Sequence, residues 1–149
     1  MKVSTKGRYA LRMMVDLAVY DTGGYISLRD IAERQDVSMK YMEQIVSMLT
    51  KSGFLYSVRG PQGGYKLVKQ PCEYSVGDIL RVTEGNLAPV SCLAREVNTC
   101  SRAANCTTLS FWEGLSRVIG DYVDKVSLAD LVAQSSTNSQ LLEDADAGE

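Results

Sequence analysis

Cys92, Cys100 and Cys106 share one polar stretch with the spacing C-x7-C-x5-C. Thiolate is the preferred ligand of soft metal centres, and three thiolates this close along a chain can fold around a single ion or cluster. Spacing alone leaves several chemistries open. The thiols could ligate an iron–sulfur cluster. They could hold zinc together with one oxygen ligand, although the close CxxC pair of most zinc sites is missing. Two of them could exchange between thiol and disulfide, or none could be liganded. Arg95 and Arg102 lie in the same stretch and would offset the negative charge of a bound cluster. Cys72, beside Pro71, stands apart and reads as a structural or incidental thiol.

The 149-residue chain contains no histidine. Ser-His-Asp and Cys-His nucleophilic sites are therefore excluded within one chain, as are His-ligated zinc sites. No basic group stands beside a cysteine to activate it for turnover, so an enzyme is not expected. The N-terminal stretch MKVSTKGRYALRMMVDLAVY is interrupted by Arg8, Arg12 and Asp16 and lacks the features of a signal peptide. No apolar run is long enough to span a membrane. The chain reads as cytoplasmic, where thiols stay reduced and four cysteines favour metal or redox chemistry over structural disulfides.

Hydrophobic residues make up 45% of the chain, enough for a core without disulfide support. Helical periodicity marks a first helix over 4–21, capped by Ser4 or Thr5 and ended by Asp21-Thr22-Gly23-Gly24. Tyr25 and Ile26 can form a short strand. Ser27 caps a second helix, Leu28–Gln35, and Ser38 caps a third, running to about Ser52 and stopped by Gly53. Strand-like runs at Phe54–Arg59 and Gly64–Val68 flank Gly60-Pro61-Gln62-Gly63, a hairpin loop. Ser75 caps a fourth helix, Val76–Glu84, closed by Gly85.

This order predicts a mainly α fold with a small β-hairpin wing. Residues 1–85 form a winged helix-turn-helix DNA-binding domain and residues 86–106 a cysteine-bearing loop. Residues 107–134 hold a long dimerisation helix, from Thr107 or Thr108 to about Val126, and a short last helix, Leu128–Gln134. Residues 135–149 are polar and acidic and read as a disordered tail. In the long helix, Leu109, Trp112, Leu115, Val118, Ile119, Tyr122, Val123 and Val126 make one apolar stripe. The small domain is too short to cover it, so it reads as the seam of a homodimer; packing on the chain's own winged domain is the other way to bury it.

The net charge of −2 hides an asymmetry. Residues 1–71 carry eleven Lys/Arg against six Asp/Glu, and residues 72–149 carry five against twelve. Phosphate attraction belongs to a local surface, so the basic first half matters for DNA. A recognition helix presents its N-terminal residues to the bases. In the third helix these are Ser38, Lys40, Tyr41, Glu43 and Gln44. Lys40 can contact a phosphate or guanine, Gln44 can pair with adenine, and Glu43 can accept from the cytosine amino group. Arg59, beside Gly60 and Pro61 at the lip of the wing, can reach a narrow minor groove. Gly63 and Gly64 would let the hairpin backbone approach closely. Ser4, Lys6 and Arg8 are candidate phosphate contacts. A solvated helix face is the alternative reading of each of these residues.

STKGRYAL at 4–11, DIAERQ at 30–35, YMEQ at 41–44, SVRGPQGGY at 57–65 and VGDILRVTEG at 76–85 resemble the iron–sulfur cluster regulator branch of the Rrf2 transcription factors. The resemblance extends to about residue 134. It implies a homodimeric winged-helix protein on palindromic promoter DNA, usually a repressor, responding to iron–sulfur status, nitric oxide, redox state or cysteine supply. It implies that Tyr41, Glu43 and Gln44 read the major groove, that Arg59 enters the minor groove, and that Cys92, Cys100 and Cys106 ligate an iron–sulfur cluster, most often 2Fe–2S. This chain departs from the pattern in two places. A branch histidine three positions beyond the last cysteine is here Leu109, and an acidic residue that other branches have near position 8 is here Arg8. The fourth ligand stays open among Glu113, Asp121, a backbone atom, a small molecule and a partner chain. A cluster-free regulator controlled by a protein partner or by thiol oxidation is the alternative.

Overall fold

The computed structural model describes residues 2–146, with side-chain environments through residue 140. In chain order the elements are α1 (Thr5–Val19), α2 (Leu28–Gln35), α3 (Met39–Lys51), β1 (Leu55–Val58), β2 (Gly64–Leu67), α4 (Val76–Glu84), α5 (Leu109–Lys125) and α6 (Leu128–Asp146). Short 3-10 turns lie at Pro71–Glu73, Ser91–Leu93 and Ala103–Asn105. This is the expected mainly α fold with a hairpin wing.

Serine hydroxyls start five of the helices, Ser127 accepting from Asp130 N–H at α6. Ser4, Ser27, Ser38 and Ser75 accept from the N–H groups of Gly7, Asp30, Tyr41 and Asp78. Each hydroxyl satisfies a donor that the first helical turn leaves without a partner, worth about 0.5–2 kcal/mol. At the other end of α3, Gly53 N–H bonds to Thr50 O and Phe54 N–H to Leu49 O, with Gly53 at φ 76°. These paired bonds close the last turn, and the chain leaves directly into β1.

Two boundaries differ from expectation. The first helix stops at Val19 instead of Asp21. Asp21 Oδ1 accepts from Gly23 N–H at 2.8 Å, and this local turn competes with another helical turn. The last helix does not stop at Gln134 but continues to Asp146. Thr137 and Ser139 donate their hydroxyls back to the carbonyls of Ala133 and Ser135, so these polar side chains bond along the helix instead of pulling the backbone away from it. Of the expected disordered tail, residues 147–149 lie outside the described residues.

The core is built from the periodic positions of the first three helices. Met13, Met14, Leu17, Ile31, Met42, Ile45 and Leu49 are fully buried, joined by Ile79 of α4 and Leu128 of α6. Leu128 brings the chain back onto the winged unit after α5. Tyr74 ties the wing to this core: its hydroxyl donates to Phe54 O at 2.8 Å and accepts from the Val68 and Lys69 N–H groups at 3.0 Å. Burial holds the phenol above its ordinary pKa, with the two backbone donors pulling weakly against it.

β1 and β2 pair antiparallel with Tyr56 opposite Lys66 and Ser57 opposite Tyr65. Ile26 adds a third partner, exchanging both backbone hydrogen bonds with Tyr65 at 2.8 and 2.9 Å. Gly64 sits at φ 153° with its backbone so close to Ile26 that a Cβ would strike the Ile26 carbonyl. Its glycine is thus required by the wing's own packing.

Candidate nucleic-acid interface and cysteine loop

The fold turns α3 outward at its N-terminal end. Met42, Ile45, Val46 and Leu49 are buried, which leaves Ser38, Lys40, Glu43 and Gln44 exposed on the opposite side. Ser38 Oγ is occupied as an acceptor by Tyr41 N–H at 3.2 Å, and its own proton remains free to donate. Tyr41 behaves differently from its neighbours. It is half-buried and packs edge-on against Tyr9 of α1, with ring centroids 5.9 Å apart. Its ring braces the start of α3 against α1. Arg59, Gly60 and Pro61 are all exposed at the tip of the wing, where Gly60 takes φ 109°. On the wing's outer face, Lys66 lies 5.0 Å from the Tyr25 ring centroid and 5.9 Å from that of Tyr56.

At the start of α1, Ser4 is less available than its sequence context implies. Both its N–H and its hydroxyl donate to Glu84 Oε1, at 3.2 and 2.5 Å. The carboxylate fixes the N-terminus of α1 to the end of α4. Lys6 is half-buried and Arg8 is exposed, its Nη2 donating to Thr5 Oγ1 at 3.3 Å.

The cysteine stretch is a loop of 3-10 turns between α4 and α5. Cys92 is half-buried, and Cys100 and Cys106 are exposed. Among the described residues, no three His, Cys, Asp or Glu side chains are gathered as a metal site, and Glu113 and Asp121 are both exposed. The donor types nevertheless suit a thiolate-ligated group. Cys106 sits just before α5, and its thiol is held below the ordinary value, first by the Thr108 hydroxyl and then by the Thr108 and Leu109 N–H groups. Thiolate is the form that binds a soft metal. Asn98 in the same loop accepts from Cys100 N–H at 2.9 Å, while its buried Nδ2 has no acceptor. Leu93 of the loop lines a crevice of about 220 Å³ with Arg81 of α4 and Ser116 and Gly120 of α5.

No residue of α5 is buried. The apolar stripe read from the sequence divides into two faces. Val123 leans toward Gly77 of α4, and Val126 O accepts from Val76 N–H at 2.8 Å. Leu109, Trp112, Leu115 and Ile119 are half-buried. Val118 and Tyr122 are 65% and 70% exposed and share the outer face with Phe111 at 62%. Phe111 lies outside the stripe that runs from Leu109, and its ring packs against that of Trp112 at 77°.

A family model described as "Iron-dependent Transcriptional regulator" matches residues 3–134. This chain belongs to the Rrf2 family. It is similar to the HTH-type transcriptional regulator IscR of Aliivibrio salmonicida (strain LFI1238), 38% identical over 91% of this chain and 79% of that protein. Among solved structures, T. potens IscR superposes with a TM-score of 0.72 at 40% identity, covering 91% of this chain and 88% of that one. CymR, the global cysteine regulator of B. subtilis, does so with a TM-score of 0.73 at 35% identity, covering 90% and 98%. As an Rrf2 protein the chain is a DNA-binding transcriptional regulator and not an enzyme. Among the described residues, no helix is long and apolar enough to cross a membrane.

Proposed function

We propose that this Rrf2 protein is a homodimeric repressor that reads palindromic promoter DNA and senses iron–sulfur or redox status through Cys92, Cys100 and Cys106. The seating of the cysteine loop carries this reading. Leu93, next to Cys92, lines one crevice together with Arg81 of α4 and Ser116 and Gly120 of α5. A change in how the loop folds would therefore be felt at the joint between α4 and α5. The three cysteines would hold the cluster, most plainly 2Fe–2S, whose chemistry when bound is reversible redox change and lability toward oxidants. The chain's own residues do the rest. The outer face of α5, with Phe111, Val118 and Tyr122, pairs two protomers and sets the distance between two α3 helices. Lys40, Glu43 and Gln44 read the major groove, and Arg59 the minor groove.

The test is iron and acid-labile sulfide content on protein purified without oxygen, with a visible spectrum. Equal iron and sulfide, lost when all three cysteines are changed to Ala, is the expected result. A colourless protein that resists reconstitution overturns the cluster. One observation supports a second reading in that event: the exposed thiol of Cys106 is held toward thiolate by Thr108, which suits regulation by thiol oxidation.

A further inference from the structure

A cleft of about 470 Å³ opens between α1, the end of α2 and α6, away from both the cysteine loop and the wing. Its volume is that of a small-molecule site. Leu11 and Val15 of α1 and Leu131 of α6 supply apolar wall, and Arg12 and Arg34 supply two guanidinium groups. Asp16 also faces the cleft, but its side chain is only 1% exposed. It is consumed by Arg34, which donates to both carboxylate oxygens at 2.7 and 2.9 Å, and by Gln35 Nε2 at 3.0 Å. The Tyr20 ring lies 4.0 Å below the Arg34 guanidinium and fixes it from the other side. Arg34 and Asp16 cancel, so Arg12 leaves the cleft with a net positive charge beside an apolar surface. That combination fits an anion with an apolar tail.

The cleft also has a connection to the DNA-reading surface. Arg12 Nε donates to Gln35 Oε1 at 2.9 Å, and its Nη2 reaches the Gln35 carbonyl at 3.4 Å. Gln35 is the last residue of α2, and the left-handed Asp36 that follows begins the turn into α3. Arg12 also lies 4.8 Å over the Tyr9 ring, the ring that braces Tyr41 in the first turn of α3. An anion that drew Arg12 toward the cleft would release both contacts at once.

We propose that this cleft is an effector site for a small carboxylate bearing an apolar tail, and that Arg12 transmits its occupancy to the recognition helix. The proposal is independent of the cysteine loop. The probe is octanoate, titrated calorimetrically into the full-length protein, with octanol as the uncharged control and amide chemical shifts to locate the site. Saturable binding of octanoate in the millimolar range or tighter is expected. The shifts should lie on α1, α2 and α6, with no comparable binding of octanol. Arg12→Gln should weaken binding about tenfold while Cys92→Ala leaves it unchanged, and saturating octanoate should change affinity for promoter DNA by about threefold or more. Absence of saturable binding, equal binding of octanol, or full binding by Arg12→Gln would each overturn the site. Octanoate binding without any change in DNA affinity would overturn the transmission through Arg12.

Discussion

Arg81 of α4 and Asp124 of α5 form a two-pronged ion pair, Nη1 to Oδ1 at 2.7 Å and Nη2 to Oδ2 at 3.0 Å. It joins α4 to α5, with Arg81 lining the same crevice as Leu93. The Arg81 guanidinium holds the Asp124 carboxyl below the usual carboxylate range, with partial desolvation working weakly the other way. A carboxylate with a lowered folded pKa contributes stability above its unfolded pKa of about 4, and loses that contribution as pH falls through the folded value. The side chains are 39% and 47% exposed, so solvent screens the pair to about 0.2–1 kcal/mol. Asp124→Asn should lower stability by that amount at neutral pH. Urea unfolding should show the difference from the unsubstituted protein shrinking below about pH 4 and in high salt.

Arg59→Ala should weaken promoter binding by on the order of 1–3 kcal/mol if the wing tip enters a groove. Fluorescence anisotropy at fixed salt measures this. Unchanged affinity would remove Arg59 from the interface.

On the proposed interface Glu43 would set a carboxylate among phosphates, which costs affinity unless it discriminates a base. Glu43→Ala should therefore raise or preserve affinity for unrelated DNA while relaxing preference at one base pair by about 1–3 kcal/mol. Competition binding against single-base operator variants would reveal it, and uniform loss across all sequences would count against base readout.

Pairing through the outer face of α5 predicts that Val118→Asp combined with Tyr122→Asp breaks the dimer. Burying unpaired carboxylates there costs on the order of 3 kcal/mol or more, about a hundredfold in dimer affinity. Sedimentation velocity should then show a folded monomer. A dimer persisting in the double variant would place the seam elsewhere.

Leu128 is fully buried although it follows the long helix α5, in which no residue is buried. Leu128→Ala should cost about 2–5 kcal/mol, as a large-to-small core change does. Chemical denaturation should report that loss, whereas Leu131→Ala, at a half-buried position three residues on, should cost less.

Local chemistry made much of this legible from residues alone. Ser27, Ser38 and Ser75 start helices at the positions read from the sequence, because a capping hydroxyl needs only its own next turn. The buried face of α3 and the Gly60-Pro61 wing tip follow in the same way from periodicity and turn geometry. Other assignments depended on distant partners. That Ser4 is tied to Glu84, eighty positions away, could not be read along the chain. Tyr41 looked solvent-facing until Tyr9 was placed against it, and Gly64 is glycine because Ile26 lies on its backbone. The apolar stripe of α5 was plain in the sequence, but which part faces α4 and which part faces outward was decided by the Arg81–Asp124 joint and by Leu128 returning to the core. Capping and periodicity act over a single helical turn and can be read along the chain. Burial, ion pairing and close backbone approach arise only when segments far apart in the sequence are packed together.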